Sequence, residues 1–92
     1  MIRSFRHLGL RRFYEKDQAR GVPPVWRARV AALLARLDAA VTPSDMDLPG
    51  LRLHRLRGDL AGFWAVNVSG NWRMIFRFED DGVWDVDLID YH

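Results

Sequence analysis

The stretch Trp72-Arg73-Met74-Ile75-Phe76-Arg77-Phe78-Glu79, followed by Asp80-Asp81-Gly82 and then Val83-Trp84-Asp85-Val86-Asp87-Leu88-Ile89-Asp90-Tyr91, decides the fold. Apolar side chains recur at every second position in both runs, the period of a half-buried strand. A short link containing glycine joins two such runs most simply as a hairpin. Side chains alternate across a strand, so Trp72, Met74, Phe76 and Phe78 are expected on one face and Arg73, Ile75 and Arg77 on the other. In the last run Trp84, Val86 and Leu88 form the apolar set, which leaves Asp85, Asp87, Ile89 and Tyr91 opposite. Upstream, strands are predicted near 51–56 and 63–68, linked by Gly58-Asp59-Leu60-Ala61-Gly62 and Ser69-Gly70-Asn71. Four strands in succession with short links make an antiparallel meander.

Ahead of the strands the period is helical. Trp26, Val30, Leu33, Leu34 and Leu37 form the stripe of an amphipathic helix, with Arg27, Arg29 and Arg36 off it. Pro24 suits its first turn, where the missing N–H costs nothing, and the helix should end near Ala40. A first helix is predicted over 5–18, with Leu10, Phe13 and Tyr14 on one side, after a short strand over 1–4. Arg20-Gly21-Val22-Pro23-Pro24 separates the helices, and Thr42-Pro43-Ser44-Asp45 and Leu48-Pro49-Gly50 mark a loop before the sheet. The expected fold is α+β, with two N-terminal helices packed on one face of a mostly antiparallel twisted sheet and the other face open.

The chain has 92 residues, 49% of them apolar, enough for one core and one domain over 1–92. It has no cysteine, which excludes a disulfide framework and thiolate metal sites and fits a reducing, cytoplasmic setting. No segment approaches the length of a membrane span, and the first residues do not resemble a secretory leader. Residues 1–78 carry all fourteen basic residues against six acids, a balance of +8, while residues 79–92 carry six acids and no base. Thirteen of the fourteen bases are arginine, whose planar fork suits phosphate oxygens and stacks on bases. Nucleic acid is the natural partner. The three histidines have no close ligand spacing, no phosphate-binding glycine loop or nucleophile elbow is present, and neither metal nor cofactor is expected.

If the apolar sets cover the helices, His54, Arg73 and Tyr91 project together from the open face. An imidazole, a guanidinium and a phenol on a basic face suit metal-free phosphodiester cleavage. RNA carries its own nucleophile, so an enzyme need only remove the 2′-hydroxyl proton, stabilise the phosphate and protonate the leaving 5′-oxygen. His54 could perform either proton transfer, Arg73 could hold the phosphate, and Tyr91 could stack on a base, whereas His92 reads as a frayed terminus. The duller alternatives are a surface histidine at position 54 and an Arg73 paired across strands with Asp85 or Asp87. Asp90 has the parity of Leu88 and is expected on the helix side.

Ile2-Arg3-Ser4-Phe5, Leu53-His54-Arg55-Leu56-Arg57-Gly58-Asp59, Gly62-Phe63-Trp64, Asn71-Trp72-Arg73 with Phe76 behind it, and Asp90-Tyr91-His92 together give the chain its family likeness. It resembles the HigB-type toxins of the RelE superfamily, the ribosome-dependent mRNA interferases of bacterial toxin–antitoxin pairs. The resemblance implies a RelE-like fold and metal-independent cleavage of mRNA in the ribosomal A site, with His54, Arg73, Asp90, Tyr91 and His92 at the catalytic site. It places Arg57 where such toxins often carry lysine, and Arg57, Arg55 and Arg77 are expected to contact substrate. An arginine at 57 keeps the charge but cannot donate a proton at neutral pH. The implied partners are a helix-turn-helix antitoxin and the ribosome, with operator DNA reached only through the antitoxin complex. The alternative is a non-catalytic subunit that keeps the toxin fold and binds antitoxin.

Overall fold

Helix α2 (Arg27–Ala39) carries the predicted stripe, and Val30, Leu33, Leu34 and Leu37 are all buried. A 3-10 turn over Pro24–Trp26 leads into it, with Pro24 in the first position. Helix α1 (Leu8–Lys16) is shorter than predicted at both ends. His7 caps its start, with Nδ1 accepting the Leu10 amide at 3.0 Å, and Asp17 ends it in a left-handed conformation with φ of 54°. The residues before it pair instead with the sheet, which is why the helix cannot begin at Phe5. The computed structural model describes residues 1–91.

Strands β1 (His54–Arg55), β2 (Trp64–Ser69), β3 (Trp72–Glu79) and β4 (Gly82–Asp90) form one sheet in the order β1-β2-β3-β4, every pair antiparallel. The predicted α+β meander is what the chain adopts. The first residues add to it in parallel. Ile2 and Phe5 bridge to Val83 and Val86, with the Arg3 amide donating to Val83 O at 2.6 Å and the Val86 amide donating to Ser4 O at 3.1 Å. Met74, Phe76, Val66, Val68, Val86 and Leu88 pack beneath the helices with Leu10, Val30 and Leu37. No helix among the described residues is long and apolar enough to cross a membrane.

Three expectations are corrected. Trp84 does not join the core; Val83 takes that place, fully buried, and the Trp84 indole N–H donates to Asp81 at 2.8 Å. The cause is a β-bulge: Ile75 faces Asp87 but Arg77 faces Trp84, and Asp85 takes φ of 58°, so parity reverses once within β4. Strand β1 shrinks to two residues because Arg52, at φ of 53°, turns the chain out of the extended form just before it. The face away from the helices is only partly open. The β1–β2 connection folds over one half of it, and Leu56, Leu60 and Phe63 pack on Ala65, Ile75 and Ile89 as a second small core.

Candidate active site

Register builds the site. His54 stands opposite Ala65, Asn67 opposite Arg73, and Arg73 opposite Ile89, so His54, Asn67 and Arg73 share the face away from the helices. Arg52, Leu53, His54, Asn67 and Arg73 line a cleft of about 360 Å³ there. Tyr91 lies just beyond β4, its amide donating to Asn71 O at 2.8 Å, and its ring centroid is 6.1 Å from that of His54 at an interplanar angle of 47°. The structure thus brings together His54, Arg73 and Tyr91, as alternation along the strands predicts.

The geometry fixes what two of these groups can offer. His54 Nδ1 lies 2.8 Å from Arg52 O. A carbonyl oxygen only accepts, so this contact is a hydrogen bond in the tautomer with hydrogen on Nδ1, which presents a lone pair at Nε2. Arg73 Nη1 donates to Gly70 O at 2.7 Å and to Trp72 O at 3.2 Å, which ties the guanidinium to the β2–β3 turn. Its Nε is buried and has no hydrogen-bond partner among the described residues. Arg73 forms no ion pair among those residues either, since Asp85 is taken by Arg77 at 2.9 Å. A cation held by neutral carbonyls keeps its full charge for an incoming anion.

Among the described residues, the other predicted ones do not line the cleft. Arg77 bonds both Asp85 and Glu79, and the Asp85 carboxylate in particular raises its pKa; its charge is therefore balanced within the protein. Arg55 stacks over Trp64 at 4.9 Å, on the helix side of the sheet. Arg57 is exposed at the start of the 3-10 turn Gly58–Leu60. Asp90 pairs in register with Trp72, whose ring meets Trp26 at 5.4 Å on the helix side, so Asp90 sits on the opposite face from His54. His92 lies outside the described residues. Among the described residues no group of three His, Cys, Asp or Glu side chains could hold a metal ion.

Sequence reasoning passed over three groups. Asn67 shares its parity with Phe63 and Ala65, so the same alternation would have found it. Arg6 stacks over Phe63 at 4.8 Å on the cleft side of the sheet, and nothing local in the sequence signals that long-range contact. Arg52 lines the cleft beside His54, and its left-handed backbone carries no compositional mark.

Known proteins give the site a context. The model of the RelE-like toxin HigB of type II toxin–antitoxin systems matches residues 3–92. The chain is 35% identical to an endoribonuclease HigB from Proteus vulgaris over 92 residues, the full length of both. It is 34% identical to toxin HigB-1 of Vibrio cholerae serotype O1 over 82 residues, 87% of this chain and 86% of that one. A two-helix, four-strand fold matched from its third residue onward to that family model leaves one conclusion: the chain belongs to the HigB-like, RelE-like toxins of type II toxin–antitoxin systems.

Proposed function

We propose that this toxin is a ribosome-dependent endoribonuclease that cuts mRNA by attack of the 2′-hydroxyl on the adjacent phosphorus. The Proteus vulgaris relative is named an endoribonuclease, and the observation that carries the reading here is the cleft holding His54 and Arg73, with the Tyr91 ring 6.1 Å from that of His54, on a face partly free of the helices and their core. His54 and His92 are the proton-transfer pair. One removes the 2′-hydroxyl proton, the new O–P bond closes a 2′,3′-cyclic phosphate, and the other protonates the departing 5′-oxygen. Arg73 stabilises the charge that builds on the phosphoryl oxygens, which its fixed guanidinium can meet without reorganising. Tyr91 stacks on a base beside the cleft. Arg57 contacts the RNA backbone from the rim, and Asp90 holds the segment bearing Tyr91 and His92 in place. Arg55 and Arg77, engaged by Trp64 and by carboxylates, serve the substrate less directly.

The partners follow from the same reading. A helix-turn-helix antitoxin neutralises the toxin, and operator DNA is reached only through that complex. Induced expression with and without the neighbouring gene, followed by mapping of mRNA 5′ ends, tests all of this together. Growth arrest relieved by the neighbour, with cuts inside reading frames, is the expected result. Arrest without any cut in translated mRNA would sink the nuclease, and antitoxin binding without toxicity would favour the non-catalytic subunit.

A further inference from the structure

We infer that Arg52 is the positioning residue that fixes which nitrogen of His54 exchanges protons with RNA, and that it does so through its backbone. The inference rests on the nuclease reading for its purpose, although its physical content stands on geometry alone. Arg52 is one of three described residues other than glycine with positive φ, at 53°. An L side chain is strained there, and such strain persists only where the surroundings impose it. The other two have evident local roles, Asp17 closing helix α1 and Asp85 making the bulge in β4. Arg52 closes no helix, and its side chain is exposed. Its conformation bends the chain ahead of β1, where Leu51 O accepts the Asn67 amide at 2.8 Å, and the same bend aims the Arg52 carbonyl at His54 Nδ1, 2.8 Å away two residues on.

That bond has a chemical consequence. A free histidine side chain prefers the tautomer with hydrogen on Nε2, which would turn a donor toward the substrate and leave no base. An acceptor held against Nδ1 reverses the preference, so the neutral ring carries its lone pair at Nε2, and protonation at Nε2 is then the step that charges the ring. The arrangement makes a histidine competent for proton exchange with a carbonyl as its partner, in a cleft whose other charged side chains among the described residues, Arg52 and Arg73, are both cationic. A carbonyl in place of a carboxylate orients the ring without placing a negative charge beside the phosphate.

Backbone and side chain of Arg52 can be separated by substitution. Arg52→Gly removes the side chain and keeps the left-handed conformation, Arg52→Asn keeps it with a short polar side chain, and Arg52→Val opposes it through its branched Cβ. The first measurement needs no RNA: 15N and 1H spectra of the imidazole of His54 report the tautomer. Wild type, Arg52→Gly and Arg52→Asn are expected to show hydrogen on Nδ1, and Arg52→Val to lose it while backbone amide spectra show the fold retained. The second is single-turnover cleavage of mRNA on saturating programmed ribosomes. Arg52→Val is expected to fall at least tenfold below Arg52→Gly, although both lack the guanidinium.

A wild-type His54 with hydrogen on Nε2 overturns the inference whatever the enzyme does. So does an Arg52→Val protein that keeps the Nδ1 tautomer. Should Arg52→Val not fold, the tautomer of wild type and Arg52→Asn decides. If the tautomers follow expectation and no variant, wild type included, cuts mRNA, the nuclease reading fails and the positioning inference survives.

Discussion

At the scale of single residues, the cleft depends on groups that are held before any substrate arrives. Arg73 is tied by Gly70 O and Trp72 O and keeps its charge unpaired among the described residues. Arg73→Ala should lower cleavage about 10²–10³-fold, the usual cost of one oxyanion donor, with an unchanged far-ultraviolet circular dichroism spectrum. Arg73→Lys should restore little of it, because an ammonium offers no fork. A second residue-scale prediction concerns Asp38, whose Oδ1 accepts from the Tyr14 hydroxyl at 2.7 Å and from the Ile2 amide at 2.8 Å. The Tyr14 bond is the first cause of a lowered Asp38 pKa and of a Tyr14 pKa raised to about 12. The carboxylate therefore adds stability above its ordinary value of 3.8, and loses it as pH falls through its lower folded value. Tyr14 works the other way: its contribution is complete below pH 10.0 and is lost as pH rises toward 12. Tyr14→Phe should cost about 1 kcal/mol by urea denaturation at pH 7, and the gap to wild type should narrow at both extremes. Of these residues Arg73 and His54 were legible from strand parity; the Tyr14–Asp38 bond was not, because a contact between two helices depends on how they cross.

At the scale of elements, two close fits govern the fold. A Cβ placed on Gly21 would stand 2.6 Å from Gly9 Cα, so the approach of α1 to its following linker requires glycine on both sides. Gly21→Ala should destabilise by about 1–3 kcal/mol, measured as a fall in melting temperature, because backbone must move to admit it. The bulge in β4 is the second. Asp85→Asn tolerates the left-handed backbone and loses a partly exposed ion pair with Arg77, keeping one oxygen to accept from Arg77 or from the Ser4 hydroxyl, at a cost of about 1 kcal/mol. Asp85→Val meets the backbone strain directly and should cost about 1–3 kcal/mol. The elements themselves were readable, since the α2 stripe and the alternation in β2 and β3 stand out against either side. The bulge was not, because Val83 and Trp84 are both apolar and either parity fills a core position. The start of α1 was missed for a related reason: Phe5 suits a helix, and its actual partner, Val86, lies 81 residues away.

Across the whole molecule, charge sets association. If the proposed ribosome-dependent action holds, the +8 balance over residues 1–78 predicts that binding to ribosomes weakens with salt, as released counterions dominate phosphate contacts. Ribosome pelleting across a salt series should give a straight fall of log affinity against log salt, and Arg57→Ala should reduce that slope by about 1. A slope near zero would mean that docking depends on something other than the arginines. The asymmetry itself was plain in the sequence, whereas its pairing was not: Asp85 and Glu79 quench Arg77 only because the last hairpin closes on itself. The same strand accounts for one further property. Ile2 and Phe5 can take their places only against Val83 and Val86, the outer strand of the sheet. During synthesis the earliest part of the polypeptide must wait, unpaired, until nearly everything else has been made and has left the exit tunnel. The first residues therefore stay without their strand partner until β4 is free to pair.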